Sequence, residues 1–252
     1  MCIKPVSAGI ALTGHVSLAH DPACKLAAGG AGSAGIFSGE ENVMKRHLIA
    51  GLAAAVLAAG AWPACAANVV KEWSSVKAPP APTLKSVTVD PKTTALLVLD
   101  MIDPICNAKR YPRCPGTVPT VKKLLTEARA AHMLVVYTGV PHVDKKAINK
   151  ELAPVGNEPY VQSFLDKFLH TDLEKILKDK GIKTVIDVGV SAQGAVITTS
   201  SEAAQRGFKV ILPVDGMSAQ NAYPEQYTAW DLANAPVISP EITLTEADMI
   251  KF

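Results

Sequence analysis

Asp100 closes an apolar run, Thr94-Ala-Leu-Leu-Val-Leu99, that carries no other charge. A carboxylate at the end of a rigid apolar segment, in a partly apolar cleft, is raised in pKa and suited to proton transfer. The same side chain could instead pin a loop or cap a helix. Asp103 stands directly before Pro104 and reads as turn chemistry. A second constellation is Gly-Val-Ser-Ala-Gln-Gly-Ala-Val at 189–196. Its two glycines flank a strand-to-helix junction, where backbone N–H groups around Val190, Ser191, Gly194 and Ala195 can face an anion or a developing oxyanion. Glycine is also needed at such turns for steric reasons alone. The nearby hydroxyls of Ser191, Thr198 and Thr199 read as capping or packing groups. His142 and Asp144 together are too few for a metal site, and no CxxC is present, so neither metal nor cofactor is expected.

These groups need a scaffold that brings them to one edge. Apolar runs at 94–99, 134–137, 184–188 and 210–212 read as strands buried on both faces, with 242–244 as a final short strand. Residues 118–132 have a helical period with Pro119 in the first turn. Residues 171–180 begin with a capping-box pattern, Thr171 with Glu174, and stop at Gly181. Further helices are predicted at 194–206, ending at Gly207, and at 223–233. Such alternation specifies an α/β fold of three layers, α/β/α, with a mostly parallel, Rossmann-like sheet. Ligands bind beyond the carboxyl ends of such strands. That places 100–103, 139–144, 189–194 and 215–218 around one crevice. The stretch from Gly139 to about Ser163 is long enough to read as a lid or insertion. His170 reads as a surface residue beside the Thr171 cap. Tyr227 and Trp230 read as core or subunit contacts.

Four blocks carry a family resemblance: Ala95-Leu-Leu-Val-Leu-Asp100-Met101; Phe168-Leu-His-Thr171-Asp172-Leu173 leading to Gly181-Ile-Lys-Thr-Val185; Gly189-Val190 with its following helix; and Gly207-Phe-Lys-Val210 with Asp215. In order and spacing they resemble the isochorismatase-like superfamily over residues 93–218. That superfamily includes isochorismatases, nicotinamidases, ureidoacrylate amidohydrolases and carbamoylsarcosine amidases. The resemblance implies a catalytic set of aspartate, lysine and cysteine, with oxyanion donors from a helix N-terminus and a neighbouring cis peptide. Asp100 matches the aspartate. Counting forward from Gly189 puts the cysteine position on Ala195. Counting back from Phe168 puts the lysine position on Gln162, with Lys167 directly before Phe168, so Asp100 and Lys167 are the catalytic candidates. A methyl group in place of the thiol removes covalent amidase chemistry. Isochorismatases of the family can work without the cysteine, their aspartate protonating a vinyl ether or assisting attack of water. The resemblance thus implies a hydrolase for a small carboxylate, amide or vinyl-ether compound, without a covalent cysteine intermediate. The alternative is an inactive member that holds a small ligand or protein partner in the same crevice. It also implies a homo-oligomer formed through the region of Tyr227 and Trp230.

Upstream, Met44-Lys-Arg-His47, the apolar run 48–61 and Ala64-Cys-Ala-Ala67 read as a secretory signal peptide. The run is shorter than the roughly 20 apolar residues that span a bilayer; the competing reading is an N-terminal membrane helix. Residues 1–43 are set aside as an over-called start, 68–92 form an extended arm broken by Pro79, Pro80, Pro82 and Pro91, and 93–252 form the hydrolase domain. A periplasmic or secreted location follows, with no membrane contact after cleavage. The net charge of +2 gives no nucleic-acid footprint. Cys106 and Cys114 are the cysteines that remain after processing, and an isolated pair in an oxidising compartment reads as a disulfide clipping the exposed loop Arg110-Tyr-Pro-Arg113. A free thiol near the active site is the competing reading.

Overall fold

The predicted apolar runs all become strands. The computed structural model describes residues 68–252, so the expectations for 1–43 and 44–67 lie outside the described residues. The elements in order are α1 (Val69–Glu72), β1 (Val87–Thr88), β2 (Thr94–Leu99), α2 (Cys114–Ala130), β3 (Leu134–Gly139), β4 (Tyr160–Gln162) and α3 (Leu173–Asp179). There follow β5 (Thr184–Val190), α4 (Ile197–Gln205), β6 (Lys209–Pro213), β7 (Met217–Ser218), α5 (Ala222–Asn234), β8 (Ile242–Thr245) and β9 (Ile250–Lys251). The chain divides into two compact units, the first ending at Ser74 and the second running from Ser75 to Phe252. Of the first, the described part is α1 and its flanks, opened by Asn68, whose side chain accepts a hydrogen bond from the Lys71 amide at 3.1 Å.

In the second unit the main sheet runs β4-β3-β2-β5-β6-β8, with β7 paired to the far end of β5, and every pairing is parallel. β1 and β9 make a separate parallel pair. β2 lies between β3 and β5, and all six of its residues are buried. Because side chains alternate across a strand, Leu96 and Val98 point to one core and Ala95, Leu97 and Leu99 to another. The first core is closed by Val121, Leu124 and Leu125 of α2; the second by Leu173 and Leu177 of α3, Ala203 of α4 and Leu232 of α5. Helices therefore cover both faces, as parallel strands require.

Several boundaries differ from the sequence reading, each for a local reason. The helix predicted at 118–132 starts four residues earlier, at Cys114. Pro115 fills the first turn and Pro119 lies inside the helix; a proline there removes a single N–H, which a helix held by its buried face tolerates. The capping box at Thr171 does not form. The Thr171 hydroxyl accepts from the Leu173 amide at 3.2 Å and donates to the Lys167 carbonyl at 2.6 Å, while Glu174 turns outward to Lys178 and Arg206. The helix predicted from Gly194 is preceded and opened by a π-helical turn at 192–196, and the regular α-helix α4 begins only at Ile197. The stretch after Gly139 is not structureless: it holds two short 3₁₀ turns, a bridge from Ile148 to Ile102, and the edge strand β4, whose three residues are too few to show a period. The arm at 68–92 is likewise not wholly extended, since its proline-free start forms α1 and its end supplies β1.

Asp187 of β5 is fully buried. One carboxyl oxygen accepts from Ser200 Oγ at 2.7 Å and the other has no partner. Burial pushes this carboxyl up to about 7, with the Ser200 hydrogen bond opposing the shift. A folded-state pKa above the unfolded one means that stability from this group is complete below about pH 4 and is lost as pH rises toward 7. Asp187→Asn is therefore expected to gain on the wild type by about 2–4 kcal/mol between pH 4 and pH 8. Urea titrations of both proteins across that range check it; a constant difference would contradict it.

Candidate active site

The end of β2 builds the site. Asp100 follows Leu99 directly and adopts φ +53, a left-handed backbone conformation that aspartate tolerates better than most residues. Its amide donates to Thr138 Oγ1 at 3.2 Å, and that hydroxyl donates on to Asp100 Oδ1 at 2.9 Å. Thr138 belongs to the neighbouring β3, so a strand on one side fixes both backbone and carboxylate. On the other side Leu99 is in register with Gly189. Gly189 has φ +132, and a Cβ there would lie 2.0 Å from the Leu99 carbonyl oxygen, so only glycine permits this approach. The approach sets Val190 and Ser191, joined by a cis peptide bond, beside Asp100.

Lys167 completes the pair. Its Nζ lies 2.8 Å from Asp100 Oδ2 and donates to the carbonyls of Phe164 at 2.7 Å and Ser163 at 2.9 Å, with the Gly139 carbonyl at 3.4 Å. The side chain is 0% exposed and that of Asp100 is 5% exposed. Burial is the main influence on both: it pushes the Asp100 carboxyl up and the Lys167 ammonium down, while each charge opposes the shift of the other. The lysine reaches the aspartate because its loop doubles back. Thr199 Oγ1 accepts from the Lys167 amide at 3.4 Å and donates to the Leu165 carbonyl at 3.2 Å, and Thr171 holds the Lys167 carbonyl.

A cavity of about 390 Å³ opens at this edge, lined among others by Asp100, Arg110, Phe164, Val190, Ser191 and Ala195. Its size falls in the range of small-molecule sites. The structure thus brings Asp100, Lys167, Val190, Ser191 and Ala195 together. Gly194 departs from the expected arrangement: it is not in the wall, and its amide donates to the Ser191 carbonyl at 3.0 Å, so it offers nothing to an anion. Gln162, reached by counting back, is exposed at the sheet edge, its amide donating to the Val143 carbonyl at 2.5 Å. Asp103 is exposed at a turn. His142 and His170 are exposed, and Asp144 accepts from the Lys146 amide. Among the described residues no group of three or more His, Cys, Asp or Glu side chains could hold a metal ion.

Cys106 and Cys114 are joined in a disulfide, with Cα atoms 5.2 Å apart, so neither is a free thiol. Tyr227 and Trp230, each 42% exposed, are not core residues. Thr138, Arg110 and Phe164 were not singled out from sequence. Thr138 sits just past the predicted end of its strand and could have been found from the edge rule, whereas Phe164 carried no signal.

A buried acid–lysine pair at the carboxyl edge of a parallel α/β sheet, facing a strand-to-helix turn across a small cavity, is an arrangement suited to proton transfer on a small molecule. The model of the isochorismatase domain matches residues 94–242, and the chain belongs to this family. It is 28% identical over 142 residues to a secreted isochorismatase effector of Verticillium dahliae, covering 52% of this chain and 75% of that protein. It is 25% identical over 166 residues to maleamate amidohydrolase of Pseudomonas putida, covering 55% and 78%. Among solved structures, an isochorismatase-like hydrolase from Alkaliphilus metalliredigens superposes with a TM-score of 0.56 at 26% identity, over 62% of this chain and 87% of that one.

Proposed function

We propose that this chain is an exported hydrolase of a small carboxylate carrying a vinyl-ether bond, working without a covalent intermediate. The observation that carries the reading is Asp100: a buried carboxyl, raised by desolvation, that opens on a cavity whose turn presents the Ala195 methyl group where the resemblance puts a thiol. In its acid form Asp100 donates its proton to the terminal vinyl carbon. The double-bond electrons form the new C–H bond and leave an oxocarbenium carbon. Water adds there and its proton returns to the Asp100 carboxylate. The resulting hemiketal splits its C–O bond to give a ketone and an alcohol. Lys167 and Thr138 stabilise the carboxylate left after the first step, which strengthens the acid. Export is supported by the signal-peptide pattern and by the disulfide, since such bonds persist in oxidising compartments.

Isochorismate and maleamate are the test compounds that the relatives' names suggest. Turnover of isochorismate with none of maleamate is the expected outcome, and the absence of turnover of any enol-ether carboxylate overturns the reading in favour of a binding protein. The rate is expected to fall as pH rises through an inflection above the usual carboxylate range, because the acid form of Asp100 is the reactive one. Ala195→Cys adds a thiol to the cavity wall close to the Asp100–Lys167 pair. Measurable maleamate hydrolysis, from a baseline of none, is expected. Continued inactivity in a folded variant whose thiol still reacts with iodoacetamide would show that the turn is not arranged for acyl transfer.

A further inference from the structure

The loop closed by the Cys106–Cys114 disulfide places Arg110 in the cavity wall with Asp100 and Ala195. Three observations set this arginine apart. Its backbone is fixed: the Arg110 amide donates to Asn107 Oδ1 at 3.0 Å and to the Asn107 carbonyl at 3.2 Å, and Asn107 Nδ2 in turn donates to the Asp103 carbonyl at 2.8 Å. Its guanidinium has no acceptor among the described residues, whereas Arg113 holds Glu225, Arg129 holds Glu158 and Arg206 holds Glu202. Finally, the other charges at the cavity, Asp100 and Lys167, neutralise each other across 2.8 Å. The cavity is therefore left with one uncompensated positive charge, on a group whose fork of N–H donors matches a carboxylate.

We propose that Arg110 is the residue that anchors the substrate's carboxylate, fixing which end of the molecule faces Asp100. This rests on the reading of the cavity as the substrate site. A fixed backbone under a free guanidinium suits the task, because the cost of ordering on binding an anion is then confined to the side chain. The disulfide contributes by holding the loop over the cavity in the absence of ligand.

Isothermal titration of the full chain with maleate tests the assignment, with maleamide, the same skeleton without charge, as the neutral control. Arg110→Gln is expected to weaken maleate binding by about 10- to 100-fold, the range for a lost charge-assisted hydrogen-bonded pair. Arg110→Lys should restore only part of it, and maleamide should bind both proteins alike. Lys109→Gln removes the same charge from the neighbouring residue, which is exposed like Arg110 but does not line the cavity, and is expected to change maleate affinity less than about twofold, as for a surface charge that makes no contact with the anion. Equal maleate affinity in wild type and Arg110→Gln, equal losses in the Arg110 and Lys109 variants, or no maleate binding by the wild type would each overturn the proposal. The hydrolytic reading fails separately, on absent turnover by a wild type that still binds maleate through Arg110.

Discussion

Asp100→Asn is expected to lower turnover of an enol-ether carboxylate by about 100- to 10,000-fold, the contribution of a positioned general acid. Asparagine keeps the shape and can still accept from Thr138, but it leaves the buried Lys167 ammonium without its counter-charge, so a loss of about 3–5 kcal/mol in stability is expected. Turnover is therefore read on protein shown to be folded, in which maleate affinity, set by Arg110, should not fall. What is lost is the proton that Asp100 donates. The split is diagnostic: a fall in kcat with KM nearly constant means that an interaction specific to the transition state has gone. A folded Asp100→Asn protein with wild-type kcat would remove the aspartate from the mechanism.

Lys167→Met should act mainly on stability. The wild-type ammonium is out of water and is compensated by Asp100 and two close carbonyls. Without it, Asp100 remains buried with Thr138 as its side-chain donor, and breaking such a pair costs about 3–5 kcal/mol. The loss must depend on pH. Removing the positive charge raises the folded-state pKa of Asp100 further above its unfolded value, so stability is retained at low pH and lost as pH rises toward that folded value. Urea unfolding at pH 5 and pH 8 is expected to show the larger deficit at pH 8. The double variant Asp100→Asn/Lys167→Met should recover much of it, because no unpaired charge then remains. A single-variant deficit that is the same at both pH values would mean that lost packing, and not the charge, is responsible.

The sheet was legible because buried parallel strands read as short continuous apolar runs, and Asp100 was conspicuous as the one charge ending such a run. The glycine at 189 was visible as a junction, though its steric meaning, contact with Leu99 of the adjacent strand, depends on register and cannot be read from a single segment. Lys167 shows where linear counting stops being informative. Spacing back from Phe168 points to Gln162, but the loop between Ser163 and Thr171 folds back so that Lys167 caps the carbonyls three and four residues before it. Only the side-chain bonds of Thr171 and Thr199 reveal that turn. Helix starts were misplaced where a cue was local: Pro119 and the Thr171–Glu174 pattern both look like first-turn signals, and packing of the buried face outweighed them. Arg110 stood within a loop recognised as clipped by cysteines, yet nothing in the string distinguishes an arginine over a cavity from its neighbour Arg113, which is tied to Glu225.

The most direct measurement follows a proton. Isochorismate incubated with the wild-type protein in D₂O, quenched early, is expected to yield a keto acid carrying a single deuterium on the carbon that was the vinyl terminus, formed far faster than with Asp100→Asn. Keto acid released without deuterium, or no release at all, would contradict protonation of the substrate by this buried carboxyl.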